Sequence, residues 1–359
     1  MVKSWKKTIA YSVVAVALAV TAGCSSSSTS GGTTADGLDK ELNVFNWSEY
    51  LPEAVIKNFE EKHGVKVNYS TFSSNEEMLA KVSVGKGIYD LTVASDYYIQ
   101  PMAKEGMIQP LDLNNIPNYK NLAAEYINKD HDPGNQYSIP YMGNTVSLGY
   151  NPDNIKTEIT SLADLWKPEL QRQIVMVDDQ RFILGMVLKT LGYSGNETDP
   201  AKLEEAKQKM LALMPNIKAF DSDSPKTLMV NGEVNVAFVW GAEIALAQRE
   251  KPQFKTVLPK EGLMISFDNF VIPAGAKHKK TAEAFINFLL EPEISAEISQ
   301  SFPYINPNKA AHPMIDKEIM SNIAIYLPEE EMKKVETVMD IGDAIKLYDR
   351  VWSEVKSSQ

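Results

Sequence analysis

The sequence is poor in several residue types, and each shortage removes a class of function. There is one cysteine in 359 residues, Cys24, which excludes a disulfide framework and a thiolate metal cluster. The four histidines, His63, His131, His278 and His312, show no H-x-x-E-H or H-x-x-H spacing, so the helical zinc motifs are missing. Basic residues are outnumbered, 36 Lys+Arg against 47 Asp+Glu for a net charge of −11. A nucleic-acid reader shows the opposite imbalance on at least one face. No G-x-S-x-G elbow, P-loop or Rossmann glycine fingerprint is found, and each of those carries a definite chemistry. No internal repeat of fixed period stands out. What remains is ordinary globular composition, 44% hydrophobic, 23% charged and 9% aromatic. The length suits two domains of about 150 residues, each able to bury its own core.

The N-terminus reads as a targeting segment. Lys3, Lys6 and Lys7 precede an apolar run from Ile9 through Ala22. At about 14 residues the run is short for a membrane span and right for the h-region of a signal peptide. It ends in Thr21-Ala22-Gly23-Cys24, which resembles a bacterial lipobox, with Thr21 where an aliphatic residue is usual. Residues 1–23 are expected to be removed and Cys24 to carry the lipid as first residue of the mature chain. Removal takes three lysines and no acid, so the net charge falls from −11 to −14. Ser25 to Gly37 is nearly all Ser, Thr and Gly, the composition of a flexible tether. Residues 24–40 are therefore expected to form anchor and tether, holding the body outside the cytoplasmic membrane of a bacterium, in the periplasm or at the cell surface.

The body reads as α/β. Leu42 to Phe45 is a strand, and a helix after Pro52 presents Val55, Ile56 and Phe59 on one face before stopping at Gly64. Val65 to Tyr69 alternates as a strand does. A helix from Asn75 to Val84 ends at Gly85, and Tyr89 to Ala94 is the next strand. This alternation argues for a mostly parallel sheet flanked by helices. A second series begins near Ser147. It has strands at Ile174–Val177 and Val234–Trp240, helices at about Phe182–Leu191 and Ala201–Leu213, and an extended return at Phe270–Pro273. An apolar helix over Thr281–Leu290 follows, then amphipathic helices around Glu329–Val338 and Asp343–Val355. Two α/β lobes joined by more than one crossing is the plan of a hinged binding protein.

Ligands of parallel α/β sheets collect outside the carboxyl ends of the strands. Those positions here are Asn46-Trp47-Ser48-Glu49-Tyr50, Ser95-Asp96-Tyr97-Tyr98, Asp178-Asp179 and Trp240-Gly241. Ser266 to Asn269 precedes a further strand, and Phe302-Pro303-Tyr304 is a loop. Aromatics and carboxylates recur together, with no lysine or arginine among them. Ring faces attract an ammonium and carboxylates pair with it, so the combination suits a cationic ligand. Taken singly, Trp47, Trp240 and Tyr304 fit core packing equally well, and the acids fit helix N-caps.

A resemblance then becomes visible. FNWSEYLP (Phe45–Pro52), STFSSNEEMLAKV (Ser70–Val82), YDLTVASDYY (Tyr89–Tyr98) and EGMIQPLD (Glu105–Asp112) resemble segments of the periplasmic spermidine/putrescine-binding proteins. So do YSIPYM (Tyr137–Met142), LADLWKPEL (Leu162–Leu170), LGYSGNETDP (Leu191–Pro200), NGEVNVAFVW (Asn231–Trp240) and INFLLEPE (Ile286–Glu293). The similarity runs from about Leu42 to Trp352. It implies the type II periplasmic-binding-protein fold: two lobes, each with a mixed, mostly parallel sheet flanked by helices, joined by hinge segments. Lobe 1 is expected over 41–142 plus 268–310 and lobe 2 over 143–267 plus 311–359. Chain crossings are expected near Tyr141–Asn144, Ser266–Asn269 and Asn308–Ile315.

The implied function is capture of a polyamine between the lobes and delivery to the transmembrane subunits of an ABC importer, by a monomeric, lipid-anchored protein without cofactor. Carried over residue by residue, Trp47, Tyr97, Trp240 and Tyr304 are aromatic walls. Ser48, Glu49, Ser95 and Ser222 are polar contacts, and Asp179 and Asp268 hold ammonium groups. Tyr50, Asp96 and Phe182 are neighbouring candidates. Four positions depart from the family's pattern: Phe182 where a second acid is common, Ser266 and Gly143 where tryptophans are usual, and Val338 where a glutamine is expected. The lost acid removes one ammonium partner and the two lost indoles widen the box; a substrate with fewer ammonium groups, putrescine, fits slightly better than spermidine.

Other classes fit less well. Asp178 and Asp179, adjacent on a strand, would face opposite ways, which spoils an acid/base pair. Asp221-Ser222-Asp223-Ser224 begins like a calcium loop, but Lys226 and Gly232 stand where an EF-hand needs Gly and Glu. No enzyme is expected. Another amine-bearing solute, or a sensor presenting its ligand to a membrane receptor, uses the same fold.

Overall fold

A computed structural model describes residues 33–358; the signal-peptide and lipobox readings, Cys24 included, fall outside the described residues. Residues 33–40, expected as the end of the tether, pack on the body. Leu38 is buried, and the Asp39 backbone N–H donates to Thr281 Oγ1 at 2.9 Å.

The described residues form ten strands: β1 (Glu41–Trp47), β2 (Lys66–Phe72), β3 (Leu91–Ser95), β4 (Ser138–Tyr150), β5 (Ile174–Met176), β6 (Ile217–Phe220), β7 (Val236–Trp240), β8 (Lys255–Val257), β9 (Met264–Val271) and β10 (Glu336–Thr337). They make one mixed sheet in the order β2-β1-β3-β9-β4-β7-β5-β6, with β10 on β9 and β8 on β4. At one end β2, β1 and β3 are parallel, and at the other β6, β5 and β7 are. Between them β9 and β4 run antiparallel to each other and to their outer neighbours.

β4 ties the two halves together. It pairs with β9 through Thr145 and with β7 from Val146 onward, and its pairing with β9 shifts register between Pro140 and Met142. All thirteen of its residues are buried, so it shows no alternation of polar and apolar positions. Period-two reasoning therefore sees only its far end, near Ser147.

Twelve α-helices of the described chain cover the faces: α1 (Glu53–His63), α2 (Asn75–Val84), α3 (Asp96–Lys104), α4 (Gln180–Thr190), α5 (Pro200–Leu213), α6 (Lys226–Val230), α7 (Gly241–Glu250), α8 (Lys279–Leu289), α9 (Pro292–Ser301), α10 (Lys317–Met320), α11 (Glu329–Met332) and α12 (Ile345–Lys356). α1 buries Val55, Ile56 and Phe59 and stops at Gly64, whose φ of 66° is left-handed, the conformation a glycine C-cap supplies without a Cβ penalty. Ser74 accepts the Glu77 N–H at the start of α2, and Asp199 accepts the Ala201 N–H at the start of α5; both are side-chain N-caps.

Each half has its own core. Val44, Phe59, Leu91, Phe270, Phe285 and Phe288 belong to one. Leu148, Ile174, Leu184, Leu188, Met210 and Tyr348 belong to the other. None of the described helices is long and apolar enough to cross a membrane.

Two readings of local structure are corrected. The strand expected over Tyr89–Ala94 runs over Leu91–Ser95, and β3 passes directly into α3 at Asp96. The expected helix over Glu329–Val338 is a single turn, α11, followed by β10. There the Val338 N–H reaches the Ile265 carbonyl at 2.8 Å, and Glu336 accepts from Lys189 Nζ and Ser194 Oγ, each at 2.7 Å. Pairing with β9 outweighs a helical pattern that has no cap after Met332.

Candidate ligand-binding site

The halves meet at a narrow cavity of about 30 Å³. Its most constrained member is Asp268, which β9 carries into the centre of the sheet opposite Ser95 of β3. Asp268 Oδ2 accepts from Tyr50 Oη and from Asn144 Nδ2, each at 2.6 Å, and Oδ1 accepts from Ser95 Oγ at 2.7 Å. Asn144 Nδ2 also reaches Tyr50 Oη at 2.7 Å. All three donors are neutral, and among the described residues no lysine or arginine pairs with this carboxylate. Asp268 is 3% exposed, and burial raises its pKa despite hydrogen bonds that favour the charged form. A desolvated carboxylate held in place without a counter-ion is arranged to receive a cation.

A second carboxylate comes from the other half. Asp179 caps α4, and its Oδ1 takes the N–H groups of Arg181 at 2.8 Å and Phe182 at 3.1 Å. Among the described residues Oδ2 has no protein donor. Burial, and then the negative charge of Glu76, push its pKa to about 7. Asp178, its neighbour in sequence, lies outside the cavity and pairs with Lys356 at 3.0 Å. The two acids are therefore not a catalytic pair.

Trp47, Tyr50, Tyr97, Phe182, Trp240 and Tyr304 line the cavity with Ser48, Ser95, Ser222 and Ser266. Phe182 meets Trp240 edge to face with centroids 5.2 Å apart. Tyr50 meets Tyr304 in the same way at 4.8 Å, an arrangement favoured by the ring quadrupoles. Trp240 Nε1 donates to the Ser222 carbonyl at 3.2 Å, which fixes the indole plane. Tyr97 carries the Arg181 guanidinium over its ring at 5.4 Å. Arg181 is itself buried and bonded to the Met339 carbonyl and Asn196 Oδ1.

Two sequence candidates do not line the cavity. Glu49 sits in left-handed backbone with φ 47°, and its carboxylate bonds Lys226 Nζ at 2.5 Å. The side chain turns to an ion pair because the loop carries it past the cavity while Ser48 and Tyr50 on either side face in. Asp96 is buried behind the wall. It accepts the Tyr97 N–H at 2.9 Å and the Phe267 N–H at 3.2 Å, tying the start of α3 to β9. Burial, and then the nearby charge of Asp268, raise its pKa to about 8.

The departures from the family pattern also have places. Ser266 lines the cavity. A Cβ on Gly143 would collide with the Phe267 ring, so that ring fills the space a larger residue would need. Val338 is in the core of the second half, away from the cavity. Sequence reasoning misses Asn75 and Asn144. Asn75 donates to Ser95 Oγ and Tyr97 Oη, both at 3.1 Å. Asn144 Oδ1 is buried without a donor. An asparagine inside so apolar a strand is the available signal, since buried amides usually serve a network.

Outside the narrow cavity, and sharing Ser222 with it, opens a larger one of about 470 Å³ between Ser73, Ser74 and Glu76 on one side and Asp178, Asp221, Asp223 and Asp349 on the other. Among the described residues no group of His, Cys, Asp and Glu is placed to hold a metal ion. The approach to the site is thus strongly negative, which concentrates cations near the mouth.

The model of the family described as bacterial extracellular solute-binding protein matches residues 54–325. The spermidine/putrescine-binding periplasmic protein of Salmonella typhimurium is 41% identical over 320 residues, 89% of this chain and 92% of that one. Among solved structures, the spermidine/putrescine ABC transporter substrate-binding protein PotD of Streptococcus pneumoniae matches with a TM-score of 0.75 at 33% identity, covering 89% and 99% of the two chains. The TpPotD lipoprotein of Treponema pallidum gives 0.78 at 28%, covering 88% and 99%. The Salmonella and Streptococcus relatives are both named as binding proteins. The chain is a member of the bacterial extracellular solute-binding protein family, with the type II periplasmic-binding-protein fold.

Proposed function

We propose that the protein captures a polyamine between its lobes, putrescine in preference to spermidine, and delivers it to the membrane subunits of an ABC importer. The observation that carries the reading is Asp268, a buried carboxylate positioned by Tyr50, Ser95 and Asn144 with no cation of the described chain paired to it. Asp179, with one oxygen free of donors from the described residues, takes the second ammonium. Trp47, Tyr97, Trp240 and Tyr304 cover the methylenes between, with Ser48 and Ser222 as polar neighbours.

The charges buried or half-buried at and beside the cavity are Asp96, Asp179, Asp268 and Glu243 against Arg181 and Lys226. When all are ionised two negative charges remain, which a dication balances. Phe182 in place of a further acid supports the same count. The relatives named for spermidine and putrescine support the substrate class.

Closure works about β4 and β9, with 41–142 plus 268–310 moving against 143–267 plus 311–359. It excludes water and strengthens both ion pairs. The protein acts as a monomer outside the cytoplasmic membrane, anchored through lipid on Cys24; the Treponema relative is named a lipoprotein.

The test is a thermal-shift and calorimetric screen of the purified protein against putrescine, cadaverine, spermidine, spermine, agmatine and basic amino acids. A ligand at 100 times its dissociation constant adds about 2.7 kcal/mol, a shift of several degrees. Silence across all polyamines with a folded, ligand-free protein refutes the reading.

A further inference from the structure

Lys226, at the start of α6, forms an ion pair that joins the two halves beside the cavity. Its Nζ lies 2.5 Å from Glu49 Oε2, on the loop between β1 and α1, and 3.8 Å from Glu243 Oε1, in the first turn of α7. The Lys226 backbone N–H donates to the other Glu243 oxygen at 3.2 Å, so α6 and α7 present ammonium and carboxylate to each other in a fixed relation. Glu243 is 2% exposed, and burial raises its pKa to about 7 against the lowering effect of Lys226. The group lies beside the ligand cavity without lining it, with Glu243 three residues after the cavity residue Trp240. The charges of both Glu243 and Glu49 act on Tyr304, which lines the cavity, and Ser48 and Tyr50 on either side of Glu49 line it too.

Resting on the polyamine reading, we infer that Lys226 is a specificity-determining residue: its ammonium occupies, on the protein's own side chain, the place between Glu49 and Glu243 that a third ligand ammonium would take. A diamine spans Asp268 and Asp179 and stops short of that group. A triamine extended toward Tyr304 brings its additional ammonium against a cation already paired there, and like charges in a partly desolvated site repel. Each lobe contributes one carboxylate, so the charge is in place once the lobes close.

The experiment is calorimetry of putrescine and spermidine with the wild-type protein, Lys226→Met and Lys226→Arg. Methionine keeps an unbranched stem of similar length and drops the charge, freeing Glu49 and Glu243. The expected result is a spermidine-to-putrescine Kd ratio at least tenfold lower in Lys226→Met than in the wild type, with Lys226→Arg close to the wild type. Glu49→Gln serves as an independent variant: it leaves Lys226 with less compensation, and the ratio is expected to rise. Equal ratios in wild type, Lys226→Met and Glu49→Gln, with putrescine still bound, overturn this inference alone. Absence of amine binding in the wild type overturns the polyamine reading, and this inference falls with it.

Discussion

Replacing Asp268 by asparagine removes one charge and almost no volume. The side chain has three donors within 2.7 Å, Tyr50 Oη, Asn144 Nδ2 and Ser95 Oγ. In Asp268→Asn the carboxamide oxygen keeps the Tyr50 and Asn144 bonds, and the amide nitrogen turns to Ser95, whose hydroxyl rotates to accept. The neighbourhood therefore survives. What is lost is the attraction for a ligand ammonium, about 4 kcal/mol for unit charges 4 Å apart at an effective dielectric of about 20. The amide dipole returns part of this, so the expected loss lies between tenfold and roughly a thousandfold in putrescine affinity, about 1.4 to 4 kcal/mol.

The sign for the free protein is opposite. Burial raises the Asp268 pKa, so the ionised form is disfavoured in the folded state, and deleting the charge should leave the melting temperature of the unliganded protein unchanged or higher. Calorimetry gives the affinity and a thermal melt gives the stability. A dissociation constant within twofold of the wild type, in a variant that melts normally, refutes the assignment of Asp268 to the site.

Trp240→Ala removes a wall of the cavity and the edge-to-face partner of Phe182; putrescine should bind at least tenfold more weakly, and a variant with a lower melting temperature but unchanged affinity would make the indole a packing group only. pH gives two opposed trends, since Asp179 titrates near 7 and Asp96 near 8, above the usual carboxylate range. These carboxyls ionise first in the unfolded chain, so their contribution to the stability of the free protein is fully present below about pH 4 and is lost as pH rises toward 7 and 8. Ligand affinity rises over the upper part of that interval because the dication prefers the ionised carboxylates; an affinity flat from about pH 5.5 to 8.5 contradicts this. Gly241→Ala drives a Cβ into the Ala324 carbonyl oxygen, which backbone cannot absorb without moving. A loss of about 1–3 kcal/mol is expected, visible as a melt lowered by several degrees, and an unchanged melt would show that the Ala324 segment yields freely.

Much of this is legible in the residues alone. The alternation of strand and helix over 42–94 marks the first half. Gly64 and Gly85 as stops and Pro52 as a start are local effects, complete within a turn of chain, so they do not depend on what lies far away. The strand-end rule brings Trp47, Ser95, Tyr97, Asp179 and Trp240 to notice, and the structure puts all five at one cavity; Asp268, read as lying before a strand, is inside β9 and joins them there. The rule fails for Glu49 and Asp96 because it names strand ends without saying which way a side chain turns. Backbone at φ 47° and an ion pair to Lys226, 177 residues away, decide that for Glu49. Bonds to the Tyr97 and Phe267 amides decide it for Asp96.

By itself the sequence determined the class of chain: a charged start and short apolar run, an acidic α/β body, and aromatic and acidic residues spaced so that parallel strands deliver them to one edge. Those properties follow from composition and from periods of two and 3.6, which act over a few residues. Only the tertiary structure decided that β4 is a buried strand shared by both halves, that residues 336–337 leave a helical pattern to pair with β9, and that Asn75 and Asn144 complete the network around Asp268. Each depends on hydrogen bonds or burial between segments tens to hundreds of residues apart. Chain connectivity carries no local signal of such partners, so their energies appear only once the chain has closed on itself.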